Sequence, residues 1–294
     1  MTLRSDYQTV KIERQEGVSW IILNRPAKRN AMNPQMHYEM DAVISSLSLD
    51  RETQVIVLTG AGESFCAGMD LKEYFRALDN DPEEQIRVRW AMRNWNYYRL
   101  RMCPKVTIAA VNGWCFGGGF TPLVSCDLAI AADEAIFGLS EVNWGILPGG
   151  YVTRDVALVM NYRDALYYIL TGKTFDGKRA VQLGLVNESV PRAELRQAVM
   201  ALARDLMKIN PATLRHAKEA FKMSRDMNYE QAYDYLAAKS DQLRMRDPEG
   251  GRDQGIRQFI DDKKFKPGLG PYERGAGEPE SGGAEERRSR RKGE

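Results

Sequence analysis

Three consecutive glycines, Gly117, Gly118 and Gly119, follow the apolar run Val106 to Val111 and the short link Asn112 to Phe116. A strand that runs into bare backbone just before a helix-like stretch lets the helix start hard against a sheet edge, with its N–H groups open to a ligand oxygen. A second turn of this kind lies upstream, where strand-like Val55 to Gly60 precedes Cys66-Ala67-Gly68-Met69-Asp70 and another helical pattern. Two such turns can each donate one N–H to a single oxygen. The competing reading is that the glycines only permit close helix-on-sheet packing. Nucleotide readings fail on detail: no lysine follows Gly119 as a phosphate-binding P-loop requires, and no G-x-G-x-x-G lies close to a first strand.

The surrounding chain predicts an α/β protein. Thr9 to Glu13, Val18 to Leu23, Val55 to Thr59, Val106 to Val111 and Leu128 to Ala131 read as strands, with Gly17 turning the first into the second. Asn33-Pro34 opens a helix to about Leu47, and Asp81-Pro82 opens another to Met102; each has a capping side chain followed by a proline at the first helical position. Strands alternating with helices imply crossover units and a mostly parallel sheet, with the first two strands antiparallel. Beyond Pro148 the strand signals fade and helical patterns take over, ending with 211–227, 229–246 and 249–261. Leu236, Leu243, Ile256 and Phe259 leave an apolar stripe suited to another subunit or to the same chain. From 268 to 294 apolar side chains almost vanish, which predicts a disordered tail. The basic run Arg287 to Lys292 reads as solvated, with RNA or an acidic surface as the alternative.

Lys and Arg total 42 against 40 Asp and Glu, a balance that announces neither a nucleic-acid nor a membrane partner. The four cysteines form no C-x-x-C pair and only His37 and His216 offer imidazole, so no metal site is expected. Cys66 beside the turn invites a thiolate nucleophile, but no base can be assigned to it. With no apolar leader, and no apolar run approaching the roughly 18 residues of a membrane span, the expected setting is cytoplasmic and soluble. One carboxylate, Glu141, lies among apolar and small residues between Ile136 and Gly150. Desolvation there raises a carboxyl pKa and suits it to proton transfer near neutral pH, the plainer reading being a helix-start or surface glutamate.

Taken together, Asn24 to Met32, Thr59 to Asp70, Asn112 to Gly119, Cys126-Asp127 and Phe137 to Ile146 resemble the crotonase (enoyl-CoA hydratase/isomerase) superfamily over about residues 8 to 267. The resemblance implies a ββα superhelix core over 1–205, a helical C-terminal trimerisation region over 206–267, and a homotrimer or dimer of trimers. It assigns an oxyanion hole for a thioester oxygen to the N–H groups of Met69 and Gly118. It lines the coenzyme A carried by the substrate with Lys28, Ala67, Gly68, Met69, Asp70, Leu71, Lys72, Gly118, Gly119, Ser140, Trp144 and Gly145, with no permanently bound cofactor and no metal. Where two-carboxylate hydratases carry a glutamate after the glycines this chain has Thr121, leaving Glu141 as the acid/base.

The phrases Ala67 to Phe75, Asn112 to Pro122, Gly138 to Gly145, Tyr167 to Lys173 and Leu185 to Pro191 look like the hydroxycinnamoyl-CoA hydratase/lyase branch. That branch implies hydration of feruloyl-CoA or 4-coumaroyl-CoA and retro-aldol cleavage to an aromatic aldehyde and acetyl-CoA, with Tyr74 on the substrate phenol. A second phenol-binding tyrosine of the branch is here Ala237. The rival readings are an aliphatic enoyl-CoA hydratase or isomerase and a nonenzymatic RNA-binding scaffold; a dehalogenase would want an aspartate nucleophile in the Glu141 segment, and that segment has none.

Overall fold

The computed structural model describes residues 6–264 and 270–275. β1 (Val10–Gln15) and β2 (Val18–Leu23) form an antiparallel hairpin in which Val10 faces Leu23 and Gln15 faces Val18. β2 then pairs in parallel with β3 (Val55–Gly60). From there one plan repeats: a long strand is followed by a short one that leaves the first sheet. The pairs are β3 with β4 (Ser64–Cys66), β5 (Val106–Val111) with β6 (Trp114–Phe116), and β7 (Leu128–Ala132) with β8 (Ile136–Gly138). Adding β9 (Thr174–Asp176) and β10 (Glu188–Val190), the chain builds a six-stranded sheet in the order β1-β2-β3-β5-β7-β10 and a four-stranded sheet in the order β4-β6-β8-β9. β5 is buried at every residue, as a central parallel strand covered on both faces must be. Edge strand β1 instead buries only Val10 and exposes Lys11, Glu13 and Arg14.

Helices cover these sheets where their caps predict. α1 (Pro34–Leu49) starts at Asn33, whose side chain accepts from the Met36 N–H, and it buries Met36, Met40, Val43, Ile44 and Leu47 along one stripe. α2 (Pro82–Arg93) is capped by Asp81 and continues through a wider π turn, Asn94–Arg99. α3 (Phe120–Ser125) follows a single 3-10 turn made by the three glycines. α4 (Val152–Val159), α5 (Tyr162–Thr171), α6 (Gly177–Gln182) and α7 (Leu195–Met207) follow.

The chain divides into two compact units, Met1–Asp205 and Leu206–Glu294. In the second, α8 (Pro211–Ser224) packs on α9 (Tyr229–Arg246), and α10 (Gly251–Ile256) runs into a π turn. The α9 helix buries none of its residues; it opens with a reciprocal capping box between Asn228 and Gln231.

Three expectations are corrected. Strands do occur beyond Pro148, because β9 and β10 are three residues each, too short to show a period. A helix at α4 was not foreseen, since Gly149 and Gly150 mask its start. The expected disorder from 268 does not hold at 270–275: Glu273 exchanges two hydrogen bonds with the Gln258 side chain, and Arg274 pairs with Glu249 and donates to the Met207 carbonyl. The rest of that expectation, with the basic run 287–292, lies outside the described residues.

Candidate active site

The repeated plan brings three segments to one place. β4, β6 and β8 are parallel neighbours, Cys66 aligned with Cys115 and Phe116 with Gly138. Residues that leave the same ends of parallel strands emerge side by side, which is where open α/β sheets hold ligands. Those residues are Ala67 to Asp70, Gly117 to Gly119, and Ser140 with Glu141. Gly68 sits at φ +87°, and a methyl group there would stand 2.9 Å from the Phe116 carbonyl oxygen and 3.1 Å from the Gly118 nitrogen. Only glycine lets these two turns approach so closely.

Met69 forms a parallel bridge with Met32: the Met32 N–H donates to Gly68 O at 2.7 Å and the Asp70 N–H to Met32 O at 2.9 Å. Alternation along extended backbone turns the Met69 N–H to the other side. Its side chain lies where a methyl group on Gly118 would touch it, at 3.3 Å. The turn is braced from behind. Ala67 N–H donates to Arg29 O, and the Asp70 carboxylate caps the next turn by accepting from the N–H groups of Lys72 and Glu73. Asp70 also pairs with Arg25 at 2.9 Å, while Arg25 reaches Glu73 at 2.6 Å. These contacts hold the Asp70 carboxyl below its usual range although burial opposes them.

Glu141 opens a 3-10 turn, Glu141–Trp144. Its Oε1 lies 3.0 Å from where a side chain on Gly117 would begin, and Gly117 itself holds φ +49°. Burial pushes the carboxyl pKa up, and its buried Oε2 has no hydrogen-bond partner among the described residues. A desolvated carboxyl with a vacant oxygen beside the glycine turn is poised to exchange a proton with a bound group. Cys66 is not a rival nucleophile: it is fully buried and its thiol is pushed up to about 12. His37 is also fully buried and pushed down to about 3, its Nδ1 accepting from Trp95 Nε1 at 3.0 Å. It stays neutral near pH 7 and carries no charge there.

Tyr74 is buried in a cluster with Leu78 and Val88, against which Met69 and Met92 pack. Its hydroxyl lies 3.6 Å from Met92 Sδ and is hydrogen-bonded to Arg89; burial raises its pKa, so it remains a neutral phenol. Gly119 is buried against the Cys66 carbonyl, 2.6 Å from where a side chain would begin, so here the packing reading of the glycines holds as well. Lys28, Leu71, Lys72, Trp144 and Gly145 are exposed, Trp144 to 66%, while Ala67 and Ser140 are half-buried. Ala237 is exposed on α9 in the second unit.

Asp155, missed in the sequence, is 1% exposed and hydrogen-bonded to the Thr121 side chain, itself 4% exposed. The available signal was a carboxylate between Val152 and Val156 on the apolar face of α4.

Short parallel strands bring two glycine-bearing turns and the half-buried Glu141 together, and the chain belongs to the enoyl-CoA hydratase/isomerase (crotonase) family, whose model matches residues 13–267. It is 56% identical over 274 residues to the hydroxycinnamoyl-CoA hydratase-lyase of Pseudomonas fluorescens, covering 93% of this chain and 99% of that one. It is 34% identical over 215 residues to a probable enoyl-CoA hydratase of Mycobacterium bovis, covering 73% and 81% of the two chains. Among solved structures, an enoyl-CoA hydratase from Bacillus anthracis superposes with a TM-score of 0.78 at 28% identity, covering 91% of this chain and all of that one.

Proposed function

We propose that the protein is a hydroxycinnamoyl-CoA hydratase-lyase, adding water to the side-chain double bond of feruloyl-CoA or 4-coumaroyl-CoA and cleaving the product to aldehyde and acetyl-CoA. The observation that carries this reading is the Glu141 carboxylate standing against Gly117, one residue from the Gly118 N–H, in a chain with 56% identity to an enzyme of that name.

The thioester oxygen accepts from the N–H groups of Met69 and Gly118, which hold the negative charge that develops on it; each donor is worth about 2.7 to 4 kcal/mol in such a hole. Water adds its oxygen to Cβ while a proton reaches Cα. Glu141 moves that proton, and the Thr121 hydroxyl orients the water. In the second step Glu141 takes the β-hydroxyl proton, the Cα–Cβ bond breaks, and the aldehyde leaves as the acetyl-CoA enolate is protonated. Both steps pass through an enolate in the same hole and balance in protons alone.

Tyr74, kept neutral, donates to or accepts from the substrate's para-hydroxyl. Met69 supplies one N–H and packs against the Tyr74 cluster, so the oxyanion donor and the phenol contact share one wall. Lys28, Leu71, Lys72 and Trp144 are exposed, as residues that meet the coenzyme A at a site entrance would be. Tyr229, Tyr233 and Leu236 leave α9 an exposed, partly apolar face, which supports a homotrimer or dimer of trimers.

The test is to mix purified protein with feruloyl-CoA and follow thioester and aldehyde together. Vanillin with equimolar acetyl-CoA is expected. A stable β-hydroxy thioester would reduce the protein to a hydratase, and turnover confined to crotonyl-CoA would make it an aliphatic enzyme.

A further inference from the structure

Asp155 has no part in the chemistry above, yet its environment is unusual. It lies in the first turn of α4, which packs on α3, the helix that continues the glycine turn. Of its two carboxylate oxygens, Oδ2 is buried and has no hydrogen-bond partner among the described residues, while the side chain is hydrogen-bonded to Thr121. Thr121 is one helical turn beyond Gly117 and Gly118, so two carboxylates flank one short stretch of backbone: Glu141 at its start and Asp155, through a hydroxyl, at its end. The charged groups that act on Asp155 are Arg101, beyond the π turn after α2, and Arg154, its neighbour on α4.

We infer that Asp155 is a positioning residue that decides whether the Thr121 hydroxyl accepts or donates a hydrogen bond at the acyl site. This rests on the reading that Thr121 meets the reacting water. A hydroxyl has one proton and two lone pairs, and an ionised carboxylate only accepts. With Asp155 ionised, the Thr121 proton is committed to it and Thr121 offers the site lone pairs alone. These accept an O–H of the attacking water and leave the water's own lone pair for Cβ. With Asp155 protonated, its O–H can donate to Thr121 instead, and the freed threonine proton competes for that lone pair. Burial raises Asp155 to about 7, with Thr121, Arg101 and Arg154 pulling it down, so the change of state falls in the working range. The ionised form is the active one, and rate falls as pH falls through this value.

The experiment compares pH profiles of kcat and KM for feruloyl-CoA in the unmodified protein, Asp155→Asn, Asp155→Ala, Thr121→Ser, Thr121→Ala and the double variant Thr121→Ala/Asp155→Ala. The expected result is an acidic limb near pH 7 that disappears in both Asp155 variants, with kcat of Asp155→Ala lower by up to about tenfold at alkaline pH, the worth of one hydrogen bond, and KM within about twofold. Thr121→Ser keeps the limb. In Thr121→Ala, removing Asp155 changes nothing further. A limb that persists unchanged in Asp155→Asn belongs to Glu141 and overturns the inference, as do additive losses in the double variant.

An infrared titration of the resting protein reads the Asp155 carboxylic C=O band without substrate. A band near pH 7 that Asp155→Asn removes, together with a kcat profile that Asp155→Asn leaves unchanged, would also overturn the inference. Absence of feruloyl-CoA turnover in the unmodified protein would instead fail the substrate reading, and the profiles would then be run on crotonyl-CoA hydration.

Discussion

The two sides of the proposed acyl site are built differently. The Ala67–Asp70 turn is tied down from behind by Arg29, by the Met32 bridge and by the Arg25–Asp70–Glu73 ion pairs, with Arg25 and Asp70 both largely buried. The segment after Glu141 has little of this: Trp144, Ile146 and Leu147 are exposed, and backbone bonds such as Ile146 N–H to Glu141 O are local. An oxyanion donor, the role proposed for Met69, works only if its N–H is already aimed when charge develops, and a braced turn serves that need. A carboxylate that moves protons needs a dry setting and a vacant oxygen more than it needs bracing. On this contrast, changes on the braced side cost stability along with activity, and changes on the open side cost activity alone.

The largest expected effect tests the open side. Glu141→Gln keeps the shape and loses the base, so turnover should fall by about 10²- to 10⁴-fold. Acyl-CoA binding by calorimetry and the melting temperature should barely move; a large loss of binding would mean that Glu141 also shapes the pocket.

Asp155, on the helix that follows the open segment, is the expected exception. Burial lifts its folded pKa to about 7 from the ordinary 3.8, so the folded chain holds a proton that the unfolded chain releases. Stability therefore falls as pH rises between those values, by up to about 4 kcal/mol for a shift of this size. Asp155→Asn should recover most of that in denaturant melts at pH 8 and almost none at pH 4. Equal gains at both would assign the effect to packing.

On the braced side, Arg25→Ala strands a buried carboxylate. Breaking a fully buried pair costs about 3 to 5 kcal/mol, and the partial exposure of Glu73 reduces this to about 2. Urea midpoint and kcat should fall together; a fall in neither would show that the backbone bonds brace the turn unaided. The smallest effect belongs to Trp144→Ala, within about 0.5 kcal/mol of unmodified stability as for other exposed positions, with any change read in KM for the acyl-CoA.

Much of this was legible in the chain. Apolar runs, caps such as Asn33 and Asp81, and the glycines after Val106 to Val111 fix local structure because they act through the backbone within a few residues. Glu141 stood out for the same reason, as one carboxylate in an apolar stretch. The short strands β4, β6, β8 and β9 were not legible, since three residues show no period; yet they set Ala67, Gly117 and Glu141 side by side. The sequence by itself determined the long strands, the capped helices and the candidate groups other than Asp155. Tertiary structure alone decided that Gly68 approaches Gly118, that Arg25 braces the turn, and that Asp155 meets Thr121, because each joins residues 34 to 50 positions apart that only the crossovers bring together.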